Sequence, residues 1–139
     1  MSTVRKGKRS ELLMMSHLVQ EGFDVFQVLV DDGGIDCGVL GKNGKFYPIQ
    51  IKSRAEFTKG DLITIDDFIP NLFIVIYDEL SRDFWIIPVD EFDKICYHGK
   101  YKSGAPRHRL TINKKTMTPM EKFKGNNGIQ ILRNTANSP

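Results

Sequence analysis

The chain has 139 residues, of which 40% are hydrophobic and 27% are charged, and its formal net charge is +3. These values are typical of one α/β or α+β domain with a single core, and they exclude a disordered or fibrous chain. The apolar segment 12–19 is interrupted by Ser16 and His17 and is too short and too polar for a signal peptide or a membrane span, so we expect a cytoplasmic protein.

Charge and cysteine content narrow the kind of site that this chain can hold. Residues 1–10 carry a formal charge of +4, residues 11–93 carry −10 and residues 94–139 carry +9. Basic ends around an acidic middle are what a phosphate-binding rim around a metal-binding centre requires; an unevenly charged, solvated surface is the alternative. Cys37 and Cys96 lie far apart without a CxxC partner, which disfavours a disulfide framework and a structural zinc site.

The first predicted element is an amphipathic helix from residue 4 or 9 to residue 21, and Gly22 suits the position after its end. Glu11 precedes Met14, Met15 and Leu18 by three, four and seven residues, so it shares their apolar face. An acid on a core-facing side of a helix needs a partner. The alternative is that Glu11 lies at the edge of the apolar stripe and reaches solvent.

The next part of the chain predicts a series of strands joined by short connections. Strands are expected over residues 23–30, 35–40, 45–53, 62–65 and 71–77. Turns or loops are expected over residues 31–34, 41–44 and 55–60. Pro48 lacks an N–H group, which predicts an unpaired position or a bulge in the third strand. The apolar run 71–77 predicts a central strand buried on both faces.

Shorter elements are predicted beyond residue 77. A hairpin loop over residues 78–83 leads to a returning strand over residues 84–87 and then to a short helix that begins at Pro88. The basic segment 96–109 contains two glycines and a proline, and we expect it to form a loop. A last short strand is expected over residues 110–112.

The C-terminal part predicts one more helix. Thr118, Pro119 and Gly125 stand in the order of a cap, a first-turn proline and a terminal glycine. The polar tail 133–139 is expected to fray. Taken together, the elements predict a leading helix packed on a mixed sheet of about five strands.

The candidate site lies in the hairpin that the strands 35–40 and 45–53 would form. Gln50 and Lys52 are two residues apart, so they point to one face of the strand, while Ile49 and Ile51 point to the opposite face and toward a core. Asp36 on the partner strand is expected to lie close to Gln50. An acid, an amide and a lysine at one place on a sheet form a candidate site for a divalent metal ion and an attacking water.

Phosphodiester cleavage would give each of these groups a role. Magnesium prefers oxygen ligands, which the carboxylate of Asp36, the amide of Gln50 and the carbonyl of Ile51 can supply. The charge of Lys52 is suited to holding the attacking water and stabilising the negative charge that develops. If the first helix packs beside the hairpin, Glu11 is a further ligand, directly or through water.

The residues of the candidate site resemble the signature of a known family. Asp36, followed after thirteen residues by Gln50-Ile51-Lys52, resembles the PD-(D/E)XK nuclease signature in its variant with Gln in place of the acid. The segment 45–54 is similar to the motif strand of PD-(D/E)XK-type intron homing endonucleases, which also use Gln. The leading helix with Glu11 resembles the extra acidic position of archaeal Holliday-junction resolvases. The resemblance covers roughly residues 7–93.

The resemblance implies an α/β fold with a restriction-endonuclease-like core, in which helices flank a mixed β-sheet of about five strands. It implies one nuclease-like domain over residues 1–139, with a basic C-terminal extension over about residues 94–139. The implied activity is metal-dependent hydrolysis of phosphodiester bonds in DNA, with Mg²⁺ or Mn²⁺ as cofactor. The implied catalytic residues are Glu11, Asp36, Gln50 and Lys52, and the implied metal ligands are Asp36, Gln50, Ile51 and Glu11.

DNA is the expected partner, and no membrane partner is expected. Basic side chains near both ends are expected to follow the phosphates: Arg5, Lys6, Lys8, Arg9, Arg107, Arg109, Lys114 and Lys115. Arg54, on the same strand face as Gln50 and Lys52, is expected to contact phosphate or to pair with an acid of the middle segment. Because one such site cuts one strand, cutting a duplex implies a homodimer or a larger homo-oligomer.

Other interpretations remain open at this stage. Asp36 would cap a turn after Gly33-Gly34 if it has no role in a site, and Gln50 would be an edge-strand surface residue. Gln50 also removes one negative charge from the metal site, which lowers the expected metal affinity. The main alternative is therefore a non-catalytic nucleic-acid-binding module or subunit with a degenerate nuclease fold. A structural or protein-interaction domain is a third possibility.

Overall fold

The computed structural model describes residues 1–30, 33–57 and 61–139. Within these residues there are four α-helices, one turn of 3-10 helix and eight strands. The helices are α1 Thr3–Gln20, α2 Val89–Ile95, α3 Lys114–Met120 and α4 Asn126–Asn137, and the 3-10 turn is Glu121–Phe123. The strands are β1 Asp24–Gln27, β2 Cys37–Leu40, β3 Phe46–Arg54, β4 Leu62–Ile65, β5 Phe73–Asp78, β6 Phe84–Pro88, β7 Tyr97–Lys100 and β8 Pro106–Thr111.

A five-stranded sheet in the order β1-β2-β3-β5-β6 forms the centre of the molecule. β3 and β5 run parallel, and the other neighbouring strands run antiparallel. The predicted fold class, a mixed sheet of about five strands flanked by helices, is confirmed. A second, antiparallel sheet has the order β4-β8-β7.

The five-stranded sheet separates two apolar layers. On one face, α1 and α4 pack against the sheet through Met14, Leu18 and Leu132, which meet Ile49 and Val75. On the other face, the second sheet and the shorter helices cover a layer that includes Ile74, Ile76, Trp85, Leu110 and Phe123. All six residues of β5 are buried, which confirms the prediction of a central strand.

Pro48 fits into β3 without a bulge. The β2–β3 register is continuous through the Gly38–Pro48 pair. The backbone N–H of Asp36 donates to the carbonyl of Ile49, so Ile49 faces β2 and its neighbour Pro48 faces the opposite side. On that side the pairing with β5 begins only at Ile49. The missing N–H of Pro48 therefore removes no hydrogen bond from the sheet.

One strand prediction and one loop prediction were wrong. β1 ends at Gln27, and beyond it Leu29 is 97% exposed and Val30 is 68% exposed, because no layer covers that part of the chain. The loop predicted over residues 96–109 is instead the hairpin β7–β8. The predicted turn and loop positions 31–32 and 58–60 lie outside the described residues.

The C-terminal prediction was also wrong. α3 begins at Lys114, with Asn113 rather than Thr118 as its cap: the Asn113 side chain accepts hydrogen bonds from the N–H groups of Lys115 and Thr116. Gly125, at φ 55°, precedes α4 instead of ending a helix. α4 continues to Asn137 because Leu132 and Ala136 are buried against the sheet, so the predicted frayed tail is helical over most of its length.

None of the helices in the described part of the chain combines the length and the apolar character that a bilayer span requires.

Candidate active site

Asp36 lies just before β2 and makes three hydrogen bonds, two of them to β3 and one to the residue after β1. Its N–H donates to the carbonyl of Ile49 at 3.0 Å, and its carbonyl accepts from the N–H of Val28 at 3.1 Å. Its carboxylate Oδ2 accepts from the buried N–H of Ile51 at 2.7 Å. The side chain is thus bound to β3 at a position that the β2 backbone does not pair. This differs from the alternative in which Asp36 only caps a turn.

The carbonyl of Ile51 lies on the same side of β3 as the Asp36 carboxylate. The N–H and C=O of one strand residue point in the same direction, so the carbonyl of Ile51 faces past the start of β2 on the side where Asp36 lies. The carboxylate and this carbonyl provide two oxygen donors at one end of the hairpin. Oxygen donors of this kind fit Mg²⁺ or Mn²⁺ better than they fit a thiophilic metal.

Gln50 and Lys52 share one face of β3, as predicted. Their neighbours in register are Ile74 and Ile76, which belong to the apolar layer opposite α1. Both polar side chains line a cleft of about 260 Å³. The remaining lining residues of this cleft are Gly33, Gly34, Thr64, Asp66 and Asp67.

Gly34 controls the space beside Gln50. It has a φ of +79°, and a Cβ at this position would lie 2.8 Å from Nε2 of Gln50. A larger residue would therefore be strained in its backbone and would displace the Gln50 amide. The glycine pair that was interpreted as a turn signal also leaves room for a side chain of the candidate site.

Asp66 and Asp67 are acids of the cleft that the sequence analysis did not single out. Both are exposed, and Oδ1 of Asp66 accepts a hydrogen bond from the hydroxyl of Tyr101 at 2.6 Å. Negative charge is therefore present in the cleft beside the uncharged amide of Gln50. The signal available in the sequence was the strand alternation of Thr64 and Asp66, which places both on one face.

Glu11 lies on the other side of the sheet from this cleft. α1 packs on the face that carries Ile49 and Ile51, and the carboxylate of Glu11 is 2.7 Å from Nζ of Lys8, with 20% of the side chain exposed. Glu11 therefore has a partner and also reaches solvent. It lines a second cavity of about 490 Å³ together with Lys6, Lys52 and Arg54, among others. Lys52 borders both cavities.

Both candidate acids contribute to a raised pKa of the Cys37 thiol. Burial, the carboxylate of Asp36 and the carboxylate of Glu11, in that order of size, together raise its pKa to about 12. Both carboxylates thus act on the first residue of β2. Two negative groups near one end of the β2–β3 hairpin favour a bound cation.

The predicted basic residues occupy three different places. Arg5, Lys6, Lys8 and Arg9 lie on the first half of α1, Arg107 and Arg109 lie on β8, and Lys114 and Lys115 begin α3. Arg54 lies at the end of β3 and is bound within the chain. Its guanidinium donates to the carbonyls of Ser53 and Leu62 at 2.7 and 2.8 Å, so it ties the end of β3 to β4.

The fold of this chain is similar to that of a solved structure. No protein-family model matches the chain, and no curated protein matches it either. The solved structure is that of a bacterial homing endonuclease, I-Ssp6803I, with a TM-score of 0.65 and 17% sequence identity. The similarity covers 100% of this chain and 99% of that one. The two proteins share a fold over their whole length, at an identity too low to carry over individual site residues.

Proposed function

We propose that this protein is a metal-dependent DNA endonuclease of the PD-(D/E)XK type that hydrolyses phosphodiester bonds. The observation that carries the proposal is the 2.7 Å hydrogen bond between the Asp36 carboxylate and the N–H of Ile51. It fixes an acid beside Gln50-Ile51-Lys52 at one end of the β2–β3 hairpin. The fold shared with a homing endonuclease supports the same function.

Mg²⁺ or Mn²⁺ would be held by the carboxylate of Asp36, the amide oxygen of Gln50 and the carbonyl of Ile51. Glu11 would act from the α1 side, directly or through water. Such an ion would neutralise phosphate charge and make a water acidic enough to attack. Gln50 contributes no charge, so the site would bind the ion more weakly than a site with a second acid in this position.

Lys52 is the residue that we assign to the nucleophile. Its side chain borders both the Gln50 cleft and the Glu11 cavity, so it stands between the two groups of oxygen ligands. An ammonium group there would orient the attacking water and stabilise the charge that develops on the phosphate. Since one site cuts one strand, duplex cleavage would need two copies of the chain, and a homodimer or larger homo-oligomer is part of this proposal.

The test is cleavage of supercoiled plasmid DNA by the full chain in Mg²⁺ and in Mn²⁺. The wild type should nick or cut the plasmid, and Lys52→Ala should reduce the rate about 100-fold or more while DNA binding is retained. Lys45→Ala, an exposed lysine just before the same strand, is the matched control and should cut like the wild type. Cleavage that survives Lys52→Ala would exclude the proposed mechanism.

One observation favours a second candidate, a DNA-binding module that does not cut. Gln50 supplies no negative charge to the proposed ligand set, which weakens the case for a tightly bound ion. Calorimetric titration of Mg²⁺ or Mn²⁺ into the wild type and into Asp36→Asn separates the two functions. The asparagine keeps an oxygen for the N–H of Ile51 but loses the charge. An endonuclease should bind the ion in a manner that depends on Asp36; the binding module should give no heat with either chain.

A further inference from the structure

The hairpin β7–β8 has two unlike faces. Residues directly opposite each other in antiparallel strands share a face, so Tyr97, Arg109 and Thr64 lie on one side of the second sheet. Leu110 lies on the other side and is buried in the core, and the ring of His108 there stacks on Phe68 with centroids 3.8 Å apart. The inner face fixes the hairpin to the molecule, and the outer face carries arginine and tyrosine.

Each outer arginine lies over a tyrosine ring. The guanidinium carbon of Arg107 is 5.1 Å from the ring centroid of Tyr101, and that of Arg109 is 5.0 Å from the ring centroid of Tyr97. The Nε atoms of both arginines are buried and have no hydrogen-bond partner within the described part of the chain. Neither arginine takes part in an ion pair among residues 1–30, 33–57 and 61–139. Stacking therefore orients these side chains, and no acid among those residues forms an ion pair with them.

The outer face continues into the candidate active site. Thr64 and Asp66 lie on this side of the second sheet, and both line the cleft that holds Gln50 and Lys52. The hydroxyl of Tyr101 donates to Asp66 at 2.6 Å, so the tip of the hairpin is tied to the rim of the cleft. Lys100 and Lys102 add exposed positive charge near the tip.

We propose that this outer face is a surface that contacts duplex DNA, with β7–β8 entering the major groove so that Arg107 and Arg109 reach base edges. We call its four side chains, Tyr97, Tyr101, Arg107 and Arg109, the basic ribbon. The inference rests on the proposed function, since it requires DNA at the Gln50–Lys52 cleft. It assigns the two arginines to sequence recognition rather than to the phosphate contacts expected from their charge alone.

Four observations favour this mode of contact. A two-stranded ribbon has the width that the major groove admits. Arg107 and Arg109 are two residues apart on one strand, or about 6.6 Å, which is close to two base-pair steps. Their stacked guanidiniums are already ordered, which suits bidentate hydrogen bonds to guanine. Each tyrosine ring already has a guanidinium near one face, which favours a duplex over a single strand whose bases would need those faces.

The test is selection from a pool of DNA duplexes with a randomised centre, in the presence of EDTA so that no cleavage occurs. Bound duplexes are sequenced for the wild type, for Arg107→Ala/Arg109→Ala and for Lys42→Ala/Lys45→Ala, a control pair of exposed lysines in and after the β2–β3 turn. The wild type and the control should enrich the same motif. The arginine variant should lose the preference at two base pairs that are separated by one other base pair, and it should bind the enriched motif about tenfold or more weakly.

Two results would overturn the inference. An unchanged motif with unchanged affinity would show that the ribbon makes no contact. An unchanged motif with uniformly weaker binding would show that the arginines contact phosphates only. If the alanine variant fails to fold, Arg107→Lys/Arg109→Lys replaces it, since it keeps the charge but loses the planar fork, and it should also lose the motif.

Failure of this inference can be distinguished from failure of the proposed function. A wild type that retains no duplex at low salt contradicts both. A wild type whose cleavage depends on Lys52, together with an arginine variant that selects the wild-type motif, contradicts the ribbon alone. DNA binding with an arginine-dependent motif but without cleavage keeps the ribbon and supports the non-cutting module.

Discussion

The two hairpins β2–β3 and β7–β8 both present polar side chains near one cleft, but they hold them by different interactions. In β2–β3, the candidate acid is fixed by hydrogen bonds to backbone: the Asp36 carboxylate accepts from the N–H of Ile51, and the Asp36 N–H donates to the carbonyl of Ile49. In β7–β8, Arg107 and Arg109 are held by stacking on tyrosines. The hydrogen bonds to backbone hold the Asp36 carboxylate in one position. The stacked arginines keep their terminal nitrogens available to donate hydrogen bonds to a ligand.

This difference predicts that substitutions in the two hairpins will separate cleavage from recognition. The first hairpin should control metal binding and turnover, and the second should control DNA affinity and sequence preference.

Asp36→Asn should lower the cleavage rate about 100-fold or more, since it removes a charged ligand while keeping an acceptor for the N–H of Ile51. Asp36→Ala should in addition lower the free energy of unfolding by about 1–3 kcal/mol, because that buried N–H then has no partner. Single-turnover cleavage and denaturant unfolding measure the two effects. Equal stability of the two variants would show that the hydrogen bond does not hold the hairpin.

Gly34→Ala should weaken metal binding several-fold because the new Cβ would displace the amide of Gln50. Gly44→Ala is its matched control, since Gly44 has a φ of +82° and no atom within 4 Å of a Cβ built there. Both variants should lose about 1 kcal/mol of stability from the left-handed backbone. Metal titration should separate them; an equal loss of affinity in both would mean that the Gln50 contact has no role.

Tyr101→Phe should weaken DNA binding about threefold or less, because the hairpin keeps its arginines but loses its bond to Asp66. That hydrogen bond raises the pKa of Tyr101. A raised pKa means that the proton is held more tightly in the folded state, so its contribution to stability is complete below the ordinary tyrosine pKa and is lost as the pH rises through the raised value. In an alkaline titration, the variant should lack the tyrosinate absorbance of one residue at a pH above the ordinary tyrosine pKa. A titration identical to the wild type would contradict the bond.

The smallest effect is expected in thiol labelling at pH 8. Burial is the main cause that raises the pKa of Cys37 to about 12 and that of Cys96 to about 11, and nearby carboxylates contribute at both sites. Cys37 is fully buried and Cys96 is half-buried, so Cys96 should react slowly and Cys37 only after unfolding. Mass spectrometry of the alkylated protein measures both sites. Modification of Cys37 in the native protein would show that the first hairpin opens readily.

The sequence predicted the first hairpin well, but of the second it predicted only the end of β8, for a physical reason. In β3, buried Ile49 and Ile51 alternate with half-buried Gln50 and Lys52, which is the period that identifies a strand. In β7–β8, only Leu110 is fully buried, and much of the rest is held by rings and guanidiniums. Stacking of that kind leaves no apolar alternation in the sequence.

The same reason explains how much of the candidate site could be predicted. The shared face of Gln50 and Lys52 follows from strand geometry alone. The position of Glu11 on the opposite side of the sheet does not, since it depends on which face α1 covers. The presence of Asp66 in the cleft depends on the packing of the second sheet, which pairs β4 with a strand more than forty residues away in the chain.

The hydrogen bond from the Ile51 N–H to Asp36 affects which residues evolution would retain in related chains. A carboxylate that completes the hydrogen bonding of a buried strand is kept by selection for folding, even in a lineage that no longer cuts DNA. The side chain of Lys52 makes no such bond within residues 1–30, 33–57 and 61–139, and it would drift once cleavage ceased to matter. Among relatives of this chain, an aspartate at position 36 would therefore report that the fold persists, and the lysine at position 52 would report that the activity does.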